Sequence, residues 1–524
     1  MNKFPGLFND VIGPVMRGPS SSHTAASWRI ARVGLQILNE PLKEATIDFD
    51  KDGAWAGNYR EQGTTMGIDG GLLGLDIIDD RMKHTAALAE EKGVVIRYEV
   101  NAFPTKHTNT VRLTLEGRHG KKVQILAASI GGGAFEIQQI DDFKVTMHGD
   151  CYETLIWKKN NQPIPEDLEA VISQNALFAQ SPHNTSTLIC LKSSAELPHE
   201  HLKRLQENPV FDEVVVVNPV LPVVSGNEKE IPFNSVPSLV EYAGQNNLDM
   251  GDMGLLYEEC LSGLSGKALT QKMANIISII EHSIESGLRG TVYEDRILPQ
   301  QSHLIKRAES EGNILRNEPV NNIIAYVTAI MEAKSAMEVI VANPTAGSCG
   351  AIGGALKGVA RALSSTSDDL IKAYFASGLI GAFFDQTAGF SAEEYGCQVE
   401  CGAASGMAAA GIVQLMGGTV KQAVNAASLA IQNMIGLVCD PVADRVEVPC
   451  LGKNVNAAMN ALSSATMARS GFDVVIPLDE VFQTVVQVGK QMPACVKCTG
   501  EGGLAVTATS VRLKEQLKNE SNRR

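Results

Sequence analysis

No run of about 18 uninterrupted apolar residues occurs anywhere in these 524 residues, so nothing in the sequence reads as a membrane-spanning helix. The opening MNKFPGLFNDVIGPV has no continuous apolar core of the secretory kind, and a cytoplasmic protein is expected. Positive charge is scarce: 45 Lys and Arg against 59 Asp and Glu leave a net charge of −14, with no basic stripe. Neither nucleic acid nor a membrane is therefore an expected partner, and a small zwitterion remains compatible. Internal repeats and low-complexity tracts are missing. Histidine is thin, ten in all, with none between His23 and His84. The Cys495-x-x-Cys498 pair has no second CxxC to complete a zinc site.

What is present points to a large globular chain. It is 44% apolar and 20% charged, and it is too long for one ordinary core. The N-terminal part alternates like strands in VVIRYEV, TVRLTLEG, KKVQILAAS and FKVTMHG. An acidic, helix-like stretch follows. Strands TSTLICLKS and EVVVVNPVLPVV then flank the helix LPHEHLKRLQENP, a small βαβ module within 151–222. The segment 224–236, around SGNEKEIPFNSVP, has linker composition. Beyond it the strand pattern stops and helical spacing takes over, as in LTQKMANIISIIEHSIESGL. The expected fold is an α/β N-terminal domain (1–223), a linker (224–236) and an all-α C-terminal catalytic domain (237–524) whose polar tail is frayed. Ten cysteines without a secretion signal favour reduced thiols.

Several stretches carry chemistry. In CDPVADRVEVPC, Cys439 and Cys450 stand eleven apart, and Pro441 and Pro449 forbid a helix through their own positions. An ordered loop with a thiol at each end can hold a metal or cluster away from water, or simply bury two inert cysteines. Cys397, in YGCQVECGAASGMAAAG, is a third thiol, and Cys401 can share its helix face. GPSSSHTAAS offers Ser20, Ser21 and Ser22 as caps for a helix starting near Thr24, with His23 beside them. His107 and Asn109 break the strand pattern in PTKHTNT, either as structural residues or as ligands of a substrate. Ser129-Ile130-Gly131-Gly132-Gly133 permits close backbone approach. In NPTAGSCG, small residues at a helix start suit a bound carboxylate or a plain turn.

Together these motifs resemble the iron–sulfur L-serine dehydratases (L-serine ammonia-lyases), with β and α parts fused in one chain. The carriers are GPSSSHT, GCQ-x-E before a small-residue helix, and CDPVA-x-x-V-x-VPC, and the resemblance covers most of 10–150 and 250–510. It implies a [4Fe–4S] cluster held by Cys397, Cys439 and Cys450. Some family members end in a cysteine that reaches the fourth iron; this tail has none, and Cys498 is a candidate replacement. It further implies His23 and His107 as acid–base candidates. Ser20, Ser21, Ser22, Thr24 and Asn109 become substrate contacts, and Thr345, Ala346 and Gly347 a carboxylate seat. One departure stands out: the family's Gly-His-Gly-Thr-Asp is replaced by Glu61-Gln62-Gly63-Thr64-Thr65, which removes one candidate base.

The implied reaction converts L-serine to pyruvate and ammonia, a step of amino-acid catabolism that can feed gluconeogenesis, in a homodimer. Two bonds break in it. The Cα–H is a weak acid and hydroxide a poor leaving group, so the chemistry needs a Lewis acid and a base. Two alternatives stay open: β-elimination from L-cysteine or L-threonine on the same cluster, and a non-catalytic iron–sulfur sensor. A sensor has no use for GPSSSHT or Pro-Thr-Ala-Gly. A pyridoxal-phosphate dehydratase would need a Schiff-base lysine motif, which is missing. The thiol-rich half offers His282 and His303, both in ordinary helical surroundings. The first-domain histidines are therefore expected to meet the thiols by domain docking.

Overall fold

The computed structural model describes residues 4–521 apart from 160–161, 174–175, 181–185, 227 and 294. The chain begins not in a sheet but with a wide helical turn, Leu7–Val11. Leu7, Phe8, Val11 and Ile12 are apolar and too many for one turn to bury alone, so they pack into the core of the helical half. The first strand, β1 (Val15–Arg17), leads into a second wide turn, Ser21–Ala25, and helix α1 (Ala26–Leu38). The hydroxyl of Ser20 accepts from the His23 N–H and caps this entry, as serines at such positions do.

The main sheet follows. It contains β2 (Leu42–Asp50), β3 (Val95–Asn101), β4 (Thr110–Gly117), β5 (Lys122–Gly131), β6 (Ala134–Ile140) and β7 (Phe143–Met147), in the order β3-β2-β4-β5-β6-β7. Only β2 and β3 run parallel. Helices α2 (Thr64–Leu72) and α3 (Thr85–Glu91) make the β2–β3 crossover. Ile30, Val33 and Ile37 of α1 meet Ile47, Leu113, Leu115 and Ile125 of the sheet in one buried core. Each such side chain contributes roughly 1.5–3 kcal/mol.

The small module is a complete βαββαβ unit: β8 (Tyr152–Lys159), α4 (Glu166–Ser173), β9 (Ala176–Gln180), β10 (Ser186–Ser193), α5 (His199–Glu207) and β11 (Phe211–Val217). Its sheet order is β11-β8-β10-β9, all antiparallel, the split-βαβ arrangement of ferredoxin-like folds. The acidic stretch expected to be helical therefore starts with a strand: Leu155 and Ile156 are buried and the registers to β10 and β11 are long. Thr185, the first residue of the expected strand TSTLICLKS, lies outside the described residues. Segment 224–235 is docked rather than free, with Phe233 buried in the helical core.

The C-terminal half contains α6 (Val236–Asn246), α7 (Met250–Ser262), α8 (Gly266–Arg289), α9 (Ser302–Ser310), α10 (Glu318–Ser335), α11 (Cys349–Leu363), α12 (Ser367–Ala388), α13 (Ala392–Tyr395), α14 (Cys401–Leu415), α15 (Val420–Gln432), α16 (Cys450–Arg469), α17 (Leu478–Gln491) and α18 (Ala508–Ser521). The small-residue helix α14 is buried from Cys401 through Val413, with α11, α12, α15 and α16 around it. Two expectations are corrected. The half is not purely helical: β12 (Val339–Val341) pairs antiparallel with β1, because the N-terminal segment lies against it and needs a partner for its backbone. The tail is helical through Ser521, held where Ser510 Oγ accepts from the Ala443 N–H at 2.9 Å. Among the described residues no helix is long and apolar enough to cross a membrane.

Candidate active site at the junction of sheet and helices

Five buried thiols gather at one end of the helical half, Cys401 at the first residue of α14 among them. Cys397 lies on the turn between α13 and α14, Cys439 on the loop after α15, Cys450 at the first residue of α16 and Cys498 on the loop after α17. Cys397, Cys439 and Cys498 share one buried cluster with Ala392. Backbone bonds fix two of them: the Cys439 N–H donates to Val496 O and the Cys498 N–H to Cys439 O, both at 2.9 Å. Cys498 has φ +65°, a left-handed conformation that a non-glycine residue adopts only under local constraint. Cys450 belongs to a neighbouring packing group, and its thiol senses the charge of Cys397 and Glu400.

The thiols differ in acidity. Hydrogen bonds from Cys401 and Cys439, with help from the Lys453 charge, hold Cys397 well below the ordinary thiol value. Burial pushes Cys450 up to about 12, against the opposing charge of Lys334. Lys334 is fully buried and donates to Val446 O at 2.6 Å. Lys453 donates to Asp440 Oδ1 at 2.5 Å and Val438 O at 2.7 Å. One buried and one half-buried cation facing a set of thiols are what an anionic thiolate site requires. The donor set thus fits a metal or cluster.

The polar side chains that brace the thiols are paired. The other Asp440 oxygen accepts from the Leu504 N–H at 2.9 Å, tying CDPVA to the terminal GGLA segment. Gln398 donates to Tyr395 O and Val485 O and accepts from Gly436 N. Asn454 of α16 donates to Gly347 O at 2.7 Å and Cys450 O at 2.9 Å, and accepts from the Ala351 N–H at 3.0 Å. Glu400, which sequence reasoning did not single out, is central. Its Oε1 accepts from Thr345 Oγ1 at 2.6 Å, and Oε2 lies 3.5 Å from Cys397 Sγ. Cys397, Glu400 and Cys439 could together hold a metal ion, their ligand atoms all within 4.8 Å of one another. Burial, reinforced by the Cys397 charge, pushes the Glu400 carboxyl well above the usual range. Gly347 is needed here, since a Cβ would stand 2.6 Å from Glu400 Oε1. The expected carboxylate seat at Thr345, Ala346 and Gly347 thus holds the protein's own Glu400. The Ala346 N–H donates to Ser21 Oγ at 3.2 Å, which joins the two motifs across the junction.

The first domain closes the other side. His23 is buried; Nδ1 lies 3.0 Å from Ser20 Oγ and 3.2 Å from Ser22 Oγ, and Nε2 lies 3.0 Å from Asn58 Oδ1. Thr24 donates to Gln62 O at 3.2 Å. Gly63, at φ +84°, passes so close to Thr24 that a Cβ would meet Oγ1 at 2.6 Å. His107 Nδ1 accepts from the Asn109 N–H at 3.1 Å, and Nε2 stands 3.5 Å from Glu394. Gly131 of SIGGG lies against Ser391, and Gly132 near Pro344 O. Around these groups, polar atoms are buried without a hydrogen-bond partner among the described residues: both side-chain atoms of Asn109, Gln62 Nε2, Thr64 Oγ1, Ser129 Oγ and Trp55 Nε1. Asn343, beside Thr345, is in the same condition. Each such group costs about 1–3 kcal/mol while unpaired.

The profile of the serine dehydratase alpha chain matches residues 169–505. The chain belongs to the serine dehydratase family. It is 34% identical over 285 residues to the "Probable L-serine dehydratase, alpha chain" of Bacillus subtilis (strain 168), covering 54% of this chain and 95% of that one. To the "L-serine dehydratase, alpha chain" of Peptoniphilus asaccharolyticus it is 30% identical, covering 55% and 100%. To "L-serine dehydratase 1" of Escherichia coli (strain K12) it is 32% identical, covering 54% and 64%. This serine dehydratase chain is long, carrying the β part ahead of the α part.

Of the predicted residues, Ser21 meets Ala346 across the junction, Ser22 and His23 meet Glu393, and His107 meets Glu394. Sequence reading missed Glu393, Glu394, Glu400, Asp440, Lys453 and Asn454. A usable signal existed for Glu400, three residues after Cys397 and so on the same face of a turn.

Proposed function

We propose that this chain is an L-serine ammonia-lyase that releases pyruvate and ammonia. The observation that carries the reading is the meeting of two unlike surfaces, one of buried thiols and one of histidines and unpaired polar atoms. Cys397, Cys439 and Cys450 would hold a [4Fe–4S] cluster, with Cys498 as the candidate fourth thiolate. When bound, such a group supplies a Lewis acid for a hydroxyl that would otherwise leave poorly. The rest of the work falls to this chain's own residues. Asn109, Gln62, Thr64 and Ser129 have free polar valences for the carboxylate and ammonium of an amino acid. Ser20, Ser21, Ser22 and Thr24 shape the wall, and Thr345, Ala346 and Gly347 complete a carboxylate seat once Glu400 yields it. His23 or His107 takes the Cα proton. The aminoacrylate so formed tautomerises to an imine and hydrolyses in water.

The departure at Gln62 favours testing neighbouring substrates, since the unpaired amide replaces an ionisable group. The experiment is an anaerobic purification with iron analysis and a pyruvate and 2-oxobutyrate assay on L-serine, L-threonine and L-cysteine. About four irons per chain, with serine preferred, supports the reading. Preference for threonine or cysteine moves the reaction to their β-elimination. Iron without turnover of any of the three leaves a sensor. The working form is proposed to be a homodimer, which sedimentation of the purified chain tests.

A further inference from the structure

Two consecutive carboxylates on the short helix α13 reach back to the first domain. Glu394 pairs with His107, and Glu393 lies against the GPSSSHT segment. The Glu393 contact is the more enclosed, with 6% of its side chain exposed against 43% for Glu394. Ser22 Oγ donates to Glu393 Oε1 at 3.1 Å, and Ser391 Oγ donates to Oε2 at 3.1 Å. The same Oε1 stands 4.0 Å from His23 Nδ1. Among the described residues, the other groups against the His23 ring are neutral: Ser20 and Ser22 from its own segment, and Asn58 and Trp55 from the loop before α2. Among the described residues, the charge acting on His23 is that of Glu393.

We propose that Glu393 is the counter-ion of His23, a positioning residue that enables a buried imidazole of one domain to take up a proton only when the other domain is docked. The role it serves, proton uptake from substrate, rests on the lyase reading above; the pairing itself does not. With Asn58 Oδ1 accepting, Nε2 carries the ring hydrogen and Nδ1 is the basic nitrogen. A proton arriving at Nδ1 is donated onward to Ser22 Oγ, whose own hydrogen points to Glu393 Oε1. The imidazolium and the carboxylate then sit one hydroxyl apart, and Nε2–H keeps its bond to Asn58. Without a carboxylate, a cation in this enclosed place would have no compensation. The direction of the forces agrees: burial holds His23 below its ordinary value, and Glu393 acts against that. The third-member logic of hydrolytic triads, a carboxylate that steadies a charged imidazole, is the same physics.

The test follows His23 directly by NMR of ¹³C-histidine-labelled full-length protein, with His23 assigned by its Ala variant. Glu393→Gln should lower the His23 titration midpoint by about one pH unit or more, Glu393→Asp should restore part of it, and Ser22→Ala should move it the same way by less. Glu394→Gln, one residue away, should leave the His23 midpoint in place. In the pyruvate assay, with His23 as the Cα base, the acid limb of kcat/KM for Glu393→Gln should move to lower pH by the same amount, with kcat lower by about 10-fold or more. An unmoved His23 midpoint in a folded Glu393→Gln protein overturns the proposal, even if turnover falls. If the natural chain makes no pyruvate from serine, the lyase reading fails while the midpoint still decides the pairing.

Discussion

The two faces of the junction are built on opposite principles. On the helical face the polar groups that brace the thiols are paired within the protein: Asp440 by Lys453 and Leu504, Gln398 by three backbone partners, Asn454 by three more, with Asn343 and Arg445 Nε the exceptions. On the sheet face Asn109, Gln62, Thr64 and Ser129 are buried and unpaired. A saturated network rigidifies what it surrounds, whereas an unsatisfied one gains most from whatever arrives to pair with it. The helical face therefore fixes positions, and the sheet face is poised for a polar ligand.

The comparison breaks most visibly at the thiols. Cys397→Ser, Cys439→Ser and Cys450→Ser should each abolish iron retention and bring pyruvate formation below detection; colorimetric iron per chain checks the first and a coupled assay the second. Next are the histidines on the other face. His23→Ala and His107→Ala should keep their iron, and the acid–base residue should lose about 10²–10⁴-fold in kcat. A loss of iron in these variants would mean that the faces are not separable. Asn109→Ala sharpens the contrast further: it removes two unpaired atoms, so stability should hold or rise while KM for the amino acid increases by about 10–100-fold, reflecting 1–3 kcal/mol of lost pairing. Equilibrium unfolding and steady-state kinetics on the same preparation separate the two.

The smallest effect is expected from a control outside the site. Glu153 of β8 is also buried without a hydrogen-bond partner, 3.6 Å from Lys192, and burial pushes its carboxyl up to about 7. A carboxyl raised in the folded state holds a proton that the unfolded chain releases, so stability falls as pH climbs from the ordinary carboxylate range to about 7 and is level above it. Glu153→Gln should flatten that slope and gain roughly 1–3 kcal/mol above pH 7, a Tm rise of a few degrees, with turnover unchanged. Thermal unfolding at pH 5.5 and 8 checks the sign.

Much of this was readable in the chain, for identifiable reasons. Period-two alternation in 93–147 and helical spacing in 266–289 are local signals, and both became the elements they suggested. Cys397, Cys439 and Cys450 stand in multi-residue motifs whose order is itself informative. β8 was hidden because its acidic neighbourhood masks Leu155 and Ile156, which become a core only once β10 and β11 lie alongside. Glu393 and Glu394 look like an ordinary charged turn. Their meaning depends on His23 and His107, more than 280 residues earlier, and no local pattern encodes that contact. Residues 7–12 carried no hint that they would join the helical core.

The pairing of β1 with β12 has a consequence for the order of manufacture. Val15, Met16 and Arg17 find their strand partners in Val341, Ile340 and Val339, over 300 residues later, and Arg17 also donates to Met337 O. At a synthesis rate of about 5–20 residues per second, the GPSSSHT segment waits some tens of seconds on the ribosome before its anchor exists. The three serines and His23 are among the first residues made and among the last to be seated, so an incomplete chain carries these side chains without their geometry.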